Sequence, residues 1–120
     1  MLCCVEFAET RLLVSEGSSV ELACRKPART SDNSTVAEWK YGRSAGQSAL
    51  RISFNRRVRL SFRMGRRYSV KSPNDSAEGV LDFSLTIRQV SRYDEGSYTC
   101  LITDQSTEIR RVVQLDVTGT

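Results

Sequence analysis

The stretch Asp94-Glu95-Gly96-Ser97-Tyr98-Thr99-Cys100 decides the fold of this 120-residue chain. Its second half alternates with period two, so Tyr98 and Cys100 fall on the same face of a strand. The segment from Val20 to Cys24 alternates in the same way and also ends on a cysteine. Cys24 and Cys100 therefore predict a buried bridge between two sheets, which stabilises a loop of this length by roughly 4 kcal/mol. Such a bridge in turn implies an oxidising compartment.

Short segments of the same period follow one another along the chain, with turn residues between them, which is typical of an all-β sandwich. The clearest runs from Leu81 to Ile87, and its four odd-numbered apolar residues must share one face. The single tryptophan, Trp39, has the inward parity of its segment, together with Ala37 and Tyr41. The predicted strands cover residues 10–14, 20–24, 36–41, 49–54, 56–62 as a short edge strand, 68–71, 81–87, 97–103 and 109–117.

The length and composition fit one compact domain, since 39% of the residues are hydrophobic and 27% are charged. No apolar run approaches the roughly 20 residues that cross a bilayer. Residues 1–5 are too short for a signal peptide, so we expect the leader and any membrane anchor to lie outside this sequence. Cys3 and Cys4 stand outside any strand pattern, and we interpret them either as a link between two chains or as residues foreign to the domain.

The charge of the chain is distributed unevenly. Between Trp39 and Asn74 there are ten basic residues and no acidic one, whereas the rest of the chain carries eight basic and fourteen acidic residues. Such a block attracts acidic partners, but it equally serves as a solvated face that keeps sheet edges apart. The sequence leaves both interpretations open. The ten residues are Lys40, Arg43, Arg51, Arg56, Arg57, Arg59, Arg63, Arg66, Arg67 and Lys71.

The residues from Asp94 to Cys100 resemble the D-x-G-x-Y-x-C signature of immunoglobulin variable-type (V-set) domains. Cys24 lies fifteen residues before Trp39, which is similar to the spacing in that family. The resemblance implies an all-β, two-sheet Greek-key sandwich with the inter-sheet disulfide Cys24–Cys100. We accordingly expect one V-type domain over residues 10–118, with residues 1–9 as an N-terminal extension and start of strand A, and residues 119–120 as a tail.

The resemblance also assigns structural roles to the signature residues. In this family the aspartate usually pairs with an arginine at the start of strand D, which implies the pair Arg67–Asp94, with Arg66 as the fallback partner. Tyr98 corresponds to the tyrosine corner, whose hydroxyl bonds back to upstream backbone. The remaining implied roles are Trp39 packed against the disulfide and Gly96 in the tight turn before the strand.

This sequence differs from the variable domains of antigen receptors in two ways, and these differences narrow the set of family members that it resembles. The F-G-x-G or W-G-x-G element of those receptors is missing, because residues 107–113 contain no glycine. The loop before it, residues 104–107, is also very short. We therefore expect a germline-encoded relative, such as an immune receptor, a co-receptor or an adhesion molecule, located outside the cell or on its surface.

The residue inventory argues against an enzyme. With no histidine, neither a Ser-His-Asp nor a Cys-His arrangement can be assembled. There is no C-x-x-C pair for zinc and no glycine-rich phosphate loop, so no cofactor or metal is expected. Two N-x-S/T triplets make Asn33 and Asn74 candidate glycosylation sites in predicted loops.

Function is therefore expected on a surface. Relatives of this class commonly associate through the sheet of strands G, F, C and C′. The leading hypothesis is binding of a protein, or of another copy of the chain, through that face and the adjoining loops. The alternatives are binding of an acidic polysaccharide and a spacer domain without a ligand; nucleic acid is not expected. The face would contain Lys40, Arg51, Thr99, Leu101, Thr103 and Val112. The basic patch for the polysaccharide would contain Arg56, Arg57, Arg59, Arg63 and Arg66.

Overall fold

The computed structural model describes residues 4–28, 35–44, 50–59, 65–71, 79–105 and 107–119. These residues form strands and two single-turn 3-10 helices, at Gly65–Arg67 and Arg92–Asp94. None of the described segments is a helix long and apolar enough to cross a membrane. The strands are β1 (Cys4–Ser15), β2 (Val20–Leu22), β3 (Arg25–Pro27), β4 (Val36–Gly42), β5 (Leu50–Phe54), β6 (Arg57–Val58), β7 (Tyr68–Val70), β8 (Val80–Asp82), β9 (Leu85–Ile87), β10 (Gly96–Thr103) and β11 (Thr107–Thr118).

The strands pack as two layers. The first layer is a six-stranded sheet in the order β1-β11-β10-β4-β5-β6, in which β1 runs parallel to β11 and the other neighbours are antiparallel. The second layer contains the ladders β2-β9-β7 and β3-β8. β2 and β3 are consecutive in the chain, as are β8 and β9, so the pairs β2–β9 and β3–β8 continue one another. The arrangement is the V-type Greek-key sandwich that the sequence predicted.

The core lies between the layers around the disulfide. Cys24 is bonded to Cys100 across the sandwich, as predicted. Trp39 is fully buried, and its indole N–H donates to the carbonyl oxygen of Phe83 at 2.7 Å. That bond satisfies the one polar group of the ring, so the largest side chain of the core is buried without an unpaired donor. Leu22, Leu85, Ile87, Tyr98 and Leu115 complete the centre and are all fully buried.

Three of the predicted strands differ clearly from the observed ones, and β3 was not predicted. β1 begins at Cys4, well before the predicted start at residue 10, because pairing with β11 along a sheet edge does not require an apolar alternation. The predicted strand 81–87 is interrupted at Ser84, whose hydroxyl accepts the backbone N–H of Cys24 at 3.1 Å in place of a ladder bond. The predicted edge strand 56–62 is reduced to β6, and its end lies outside the described residues.

Candidate partner-binding face

The Arg67–Asp94 pair holds the second layer to the turn before β10. Arg67 Nη1 and Nη2 lie 2.8 Å and 3.0 Å from the two carboxylate oxygens of Asp94, which is fully buried. Tyr68 donates its hydroxyl to the same carboxylate, and the N–H of Ser91 donates at 2.8 Å. Burial acts to raise the pKa of Asp94, but these hydrogen bonds outweigh it and hold the pKa below its ordinary value. Arg66 is exposed, so the fallback partner is not used.

Tyr98 and Gly96 have the geometry that the signature implies. The Tyr98 hydroxyl donates to the carbonyl oxygen of Asp94 at 2.5 Å, and burial raises the pKa of this phenol. Gly96 has a φ of 146°, and a Cβ there would lie 2.6 Å from Cε1 of Tyr41 and 2.7 Å from the carbonyl oxygen of Gly42. No other residue fits this position without moving backbone. The signature therefore builds the sandwich rather than a binding site.

The outer face of the six-stranded sheet is organised in rows of directly paired residues. We call the first the leucine row; it crosses five strands as Phe7, Arg110, Leu101, Glu38 and Phe54. We call the second the threonine row; it crosses the same strands as Glu9, Val112, Thr99, Lys40 and Arg51.

All six residues predicted for the face lie on the outer side of this sheet. Five of them belong to the two rows, and the sixth, Thr103, lies beyond the leucine row, where it is paired with Val36 and Glu108. Val112 is the exception in exposure: it points outward but is only 8% exposed because its neighbours cover it. The geometry therefore groups the predicted residues, but it leaves Val112 little area of its own for a partner.

The cationic character of the face is smaller than the sequence suggested. Glu38 lies between the two predicted cations, 2.9 Å from Arg51 and 3.4 Å from Lys40, and its side chain is only 13% exposed. The Arg51 guanidinium also lies 5.3 Å from the centre of the Phe54 ring. A carboxylate between two cations cancels much of their field. The net charge at the centre of the face is therefore smaller than the two cations alone would give, while Arg51 and Arg110 remain half-exposed.

The outer face of the second layer is chemically different. Four alternating charges form a closed ring there, which we call the ion ring: Glu21, Arg25, Asp82 and Lys71. Arg25 lies 2.9 Å from Asp82 and 3.4 Å from Glu21, and Lys71 lies 3.5 Å and 3.8 Å from the same two carboxylates. Burial acts to raise the pKa of Asp82, but hydrogen bonds from Ser84 and Arg25 lower it overall. The ring satisfies its own charges within the domain.

Arg56 lies beside Arg57 and Arg59 in the predicted basic patch, but the second layer holds its guanidinium. Its guanidinium lies 4.4 Å from the centre of the Phe83 ring and donates to the carbonyl oxygens of Lys71 and, at 2.7 Å, Asp82. Burial lowers its pKa, with Asp82 acting in the opposite direction. Arg56 thus ties β6 to the second layer, because a guanidinium can donate to several carbonyls at once. Arg57 and Arg59 remain exposed on this edge.

This difference predicts unequal stabilities for two neighbouring variants. Arg56→Ala removes two hydrogen bonds and the contact with Phe83, and we expect it to lower the free energy of unfolding by about 2 kcal/mol. Arg57→Ala removes an exposed side chain and is expected to change it by less than about 0.5 kcal/mol. Urea denaturation of both variants measures the difference. Equal midpoints would show that Arg56 is as free as Arg57.

Several candidate functional residues were not predicted from the sequence. Phe7 and Phe54 are 61% and 45% exposed on the outer face. Alternation does not signal this for Phe54, which is two residues after the buried Ile52; the register shift between β4 and β5 turns it outward, opposite Glu38. Lys26 and Asp104 form a buried ion pair at 3.8 Å that no local pattern marks. Among the residues with described positions, no group of three or more acidic or cysteine side chains is arranged to hold a metal. The predicted sites Asn33, Asn74 and Arg63, and the terminal Cys3, lie outside the described residues.

The V-set model of immunoglobulin domains matches residues 7–118. The chain belongs to the immunoglobulin V-set family. Members of this family are typically non-enzymatic. A comparison with curated protein sequences found no significant match.

Solved structures give the same fold for this V-set domain. It superposes with a TM-score of 0.68 on the extracellular domain of the voltage-gated sodium channel beta4 subunit, at 16% identity over 93% of this chain and 92% of that chain. Tim-2 matches with a TM-score of 0.69 and 21% identity, over 93% and 94% of the two chains. A chain from the complex of ICOS with ICOS-L matches with a TM-score of 0.69 and 25% sequence identity. The match covers 93% of this domain but only 56% of that chain. The domain is thus similar to extracellular domains of adhesion proteins and receptors.

Proposed function

We propose that this V-set domain is an extracellular recognition domain that binds a protein partner through the outer face of the six-stranded sheet. The observation that supports this most is the leucine row, in which Phe7 and Phe54 expose 61% and 45% of their surface on either side of Leu101. Phe7 and Phe54 lie at the two ends of this row, on β1 and β5, and charged residues stand between them and Leu101. Apolar side chains interspersed with charged ones on one face are found at partner-binding surfaces.

The distribution of exposed apolar residues supports the choice of this layer. Among the described residues, five large hydrophobic side chains are strongly exposed, and four of them belong to β1 or β5 of the six-stranded sheet: Phe7, Leu13, Leu50 and Phe54. The fifth, Tyr93, lies in a 3-10 turn. The opposite layer instead carries the ion ring on its outer side. The six-stranded sheet is therefore the better candidate for a desolvated contact.

Structural neighbours are consistent with a protein partner. The sodium channel beta4 domain forms parallel homodimers that explain its role in cell–cell adhesion. ICOS forms a complex with ICOS-L. These facts concern those proteins, and they support the proposal only by showing that the fold accommodates such contacts.

A second candidate function rests on an open groove at the β5–β6 edge. Phe54 and Val58 contribute its apolar part, and Arg51, Arg57 and Arg59 surround it. Exposed arginines around such a groove favour an acidic ligand, such as a sulfated or carboxylated polysaccharide. Arg56 also lines this groove, although its guanidinium donates to carbonyl oxygens of the second layer.

The leading proposal predicts that Leu101→Asp abolishes partner binding without unfolding the domain. A carboxylate at this half-buried outer position would be desolvated in the complex beside Glu38 and opposite Arg110, which already pairs with Glu108. We therefore expect binding to weaken by about 2–4 kcal/mol, roughly 30-fold or more. Ser69→Asp, at a half-buried position on the outer side of the other layer, is the matched control and should bind normally. A screen against cell-surface ectodomains by surface plasmon resonance supplies the partner and the measurement.

The same screen separates the two candidate functions. The double variant Arg57→Glu, Arg59→Glu should leave protein binding nearly unchanged, whereas a polysaccharide ligand should be lost in this variant and retained by Leu101→Asp. Polysaccharide binding should also weaken steeply between low and moderate salt, because it depends on screened charges. If Leu101→Asp binds every partner as well as the wild type, the assignment of this face is wrong.

A further inference from the structure

We propose that the open edge of the second layer, formed by β2 and β3, accepts an extended peptide segment of another protein as an additional strand. This site goes beyond the proposed function, because it lies at the seam between the two layers and not on the outer face of the first. Three features of the described residues support it: an unpaired backbone edge, an apolar crevice beside that edge, and a strand of the first layer that is left uncovered next to it.

The edge of β2 and β3 carries backbone groups without a neighbouring strand. In the described part of the chain, β2 pairs only with β9, and β3 pairs only with β8. Cys24 directs both of its backbone groups to that side, because its N–H donates to Ser84 Oγ at 3.1 Å and its carbonyl oxygen accepts from the N–H of Phe83 at 2.8 Å. Backbone groups alternate in direction along a strand, so those of Ala23 and Arg25 point away from the sheet. Both residues are exposed, and their backbone groups are available to another strand.

A crevice of about 380 Å³, which we call the edge slot, lies beside this edge. Its apolar and uncharged lining comes from both layers: Ala8, Thr10 and Leu12 of β1, Val113 of β11, and Ala23. Two of these residues are alanines, whose short side chains leave the space between the layers unfilled. The volume is at the low end of the roughly 300–1,000 Å³ of ligand sites, so the slot accepts a few side chains and not a folded domain.

The floor of the edge slot is the inner side of β1. Thr10 is paired with Val113 and Leu12 with Leu115, and directly paired residues share a face of the sheet. Val113 and Leu115 are buried in the core, yet Thr10 is exposed and Leu12 is only half-buried. The inner side of β1 therefore extends past the edge of β2 and is not covered by the second layer. One strand placed beside β2, at the usual spacing of about 4.8 Å, would supply that cover.

The charges at the edge slot favour an uncharged occupant. Two charged residues, Glu21 and Arg111, also line the slot. Glu21 belongs to the ion ring, and Arg111 lies 3.4 Å from Glu6, so both have counter-ions within the domain. A charged side chain that entered the slot would lose its water without gaining a free counter-ion. The added strand therefore carries apolar residues at every second position, directed onto β1, and polar residues on its other side.

The same geometry argues against a second copy as the occupant. Leu22 of β2 belongs to one core with Val113 and Leu115 of β11, so the first layer lies directly against β2. A second copy that paired through its own β2 would bring its first layer to the place that β1 of the first copy already occupies. A single extended segment carries no such layer. The edge slot therefore fits a strand from a loop or a chain end of a partner.

Two synthetic peptides of identical composition test the chemistry of the occupant. In the alternating peptide, valine and threonine alternate between terminal lysines; in the block peptide, all valines precede all threonines. Fluorescence anisotropy should show saturable binding of the alternating peptide and binding of the block peptide that is weaker by roughly tenfold or more, because only alternation directs every valine onto β1. Absence of saturable binding by the alternating peptide, or equal binding of the two, overturns the inference.

A pair of variants on β1 tests the place of binding. Ala8→Phe fills the edge slot, whereas Glu9→Phe adds the same side chain at the next residue, on the outer face of the sheet. Ala8→Phe should weaken binding of the alternating peptide by roughly tenfold or more, and Glu9→Phe should not change it. Circular dichroism checks folding, and Thr10→Phe, at an exposed position of the slot, replaces Ala8→Phe if that variant is unfolded. A folded slot variant with the affinity of the wild type contradicts the assignment.

Amide hydrogen exchange measured by NMR locates the added strand. In the free domain the N–H groups of Ala23 and Arg25 should exchange rapidly, while that of Cys24 is protected by its bond to Ser84. Saturation with the alternating peptide should slow the exchange of Ala23 and Arg25 by about tenfold or more and leave Cys24 unchanged. Protection of Ala23 and Arg25 in the free domain would show that the edge is already paired, which overturns the inference.

Analytical ultracentrifugation tests the remaining occupant in a chain that carries Cys3→Ser and Cys4→Ser. The wild-type edge should form no dimer, and a dimer that Ala8→Phe dissociates would assign the edge to a second copy, against the inference. The outcome is separable from that of the proposed function, since Leu101→Asp lies on the outer face and should bind the alternating peptide normally.

Discussion

Replacing Asp94 by alanine is expected to lower the free energy of unfolding by about 3–5 kcal/mol. The carboxylate is fully buried and accepts bonds from Arg67, Tyr68 and the backbone of Ser91. Its removal leaves a guanidinium that is only 15% exposed without its counter-ion. Chemical denaturation at neutral pH measures the loss, and an unchanged midpoint would contradict the structural role of the pair.

Two controls sharpen this prediction. Arg67→Ala should cause a comparable loss and Arg66→Ala should cause almost none, because Arg66 is exposed and takes no part in the pair. The pKa of Asp94 lies below its ordinary value of 3.8, so the pair contributes stability above that pH and loses it as the pH falls through the lower folded pKa. The difference between wild type and Asp94→Ala should therefore shrink below about pH 4.

Removing the disulfide is the second large effect that we expect. The variant Cys24→Ala, Cys100→Ala should be less stable by about 4 kcal/mol, because the bridge closes a long loop of the unfolded chain. The sequence separation of the two cysteines is 76 residues. This loss is a large part of the stability of an ordinary domain, so the variant should be substantially unfolded at 37 °C.

Thermal denaturation and peptide mapping test this prediction together. Mass analysis of a non-reducing digest should recover the peptide pair that contains Cys24 and Cys100. A pairing of Cys24 with Cys3 or Cys4 would instead contradict the arrangement of the core. A double variant with the melting temperature of the wild type would contradict the contribution assigned to the bridge.

The features that the sequence predicted correctly are those encoded by residues close together in the chain. The D-x-G-x-Y-x-C stretch predicted the disulfide, and the resemblance that it carried implied the family and the pair Arg67–Asp94. Residues two apart in a strand must share a face. The short turn before β10 likewise fixes the position of Asp94 relative to that strand. The same parity correctly placed Thr99 and Leu101 on the outer side of β10.

The structural roles of individual arginines could not be predicted from strand alternation or from the signature. Arg56 and Arg57 are adjacent in the sequence, yet one is held against Phe83 and the other is exposed. The boundary of β1 was missed for a similar reason, because an edge strand is defined by its partner rather than by its own pattern. Both features depend on segments far away in the chain.

By itself, the sequence determined the sandwich, its disulfide and the direction in which the residues of regularly alternating strands such as β10 point, since these follow from local alternation and from the signature before Cys100. Only the tertiary structure decided which residues are neighbours across strands. The leucine row, the threonine row and the ion ring all depend on the hydrogen-bond register between strands from distant parts of the chain. A shift of one residue would move every side chain of a strand to the other face. The pattern of residues on the outer face of the six-stranded sheet is therefore a property of the register.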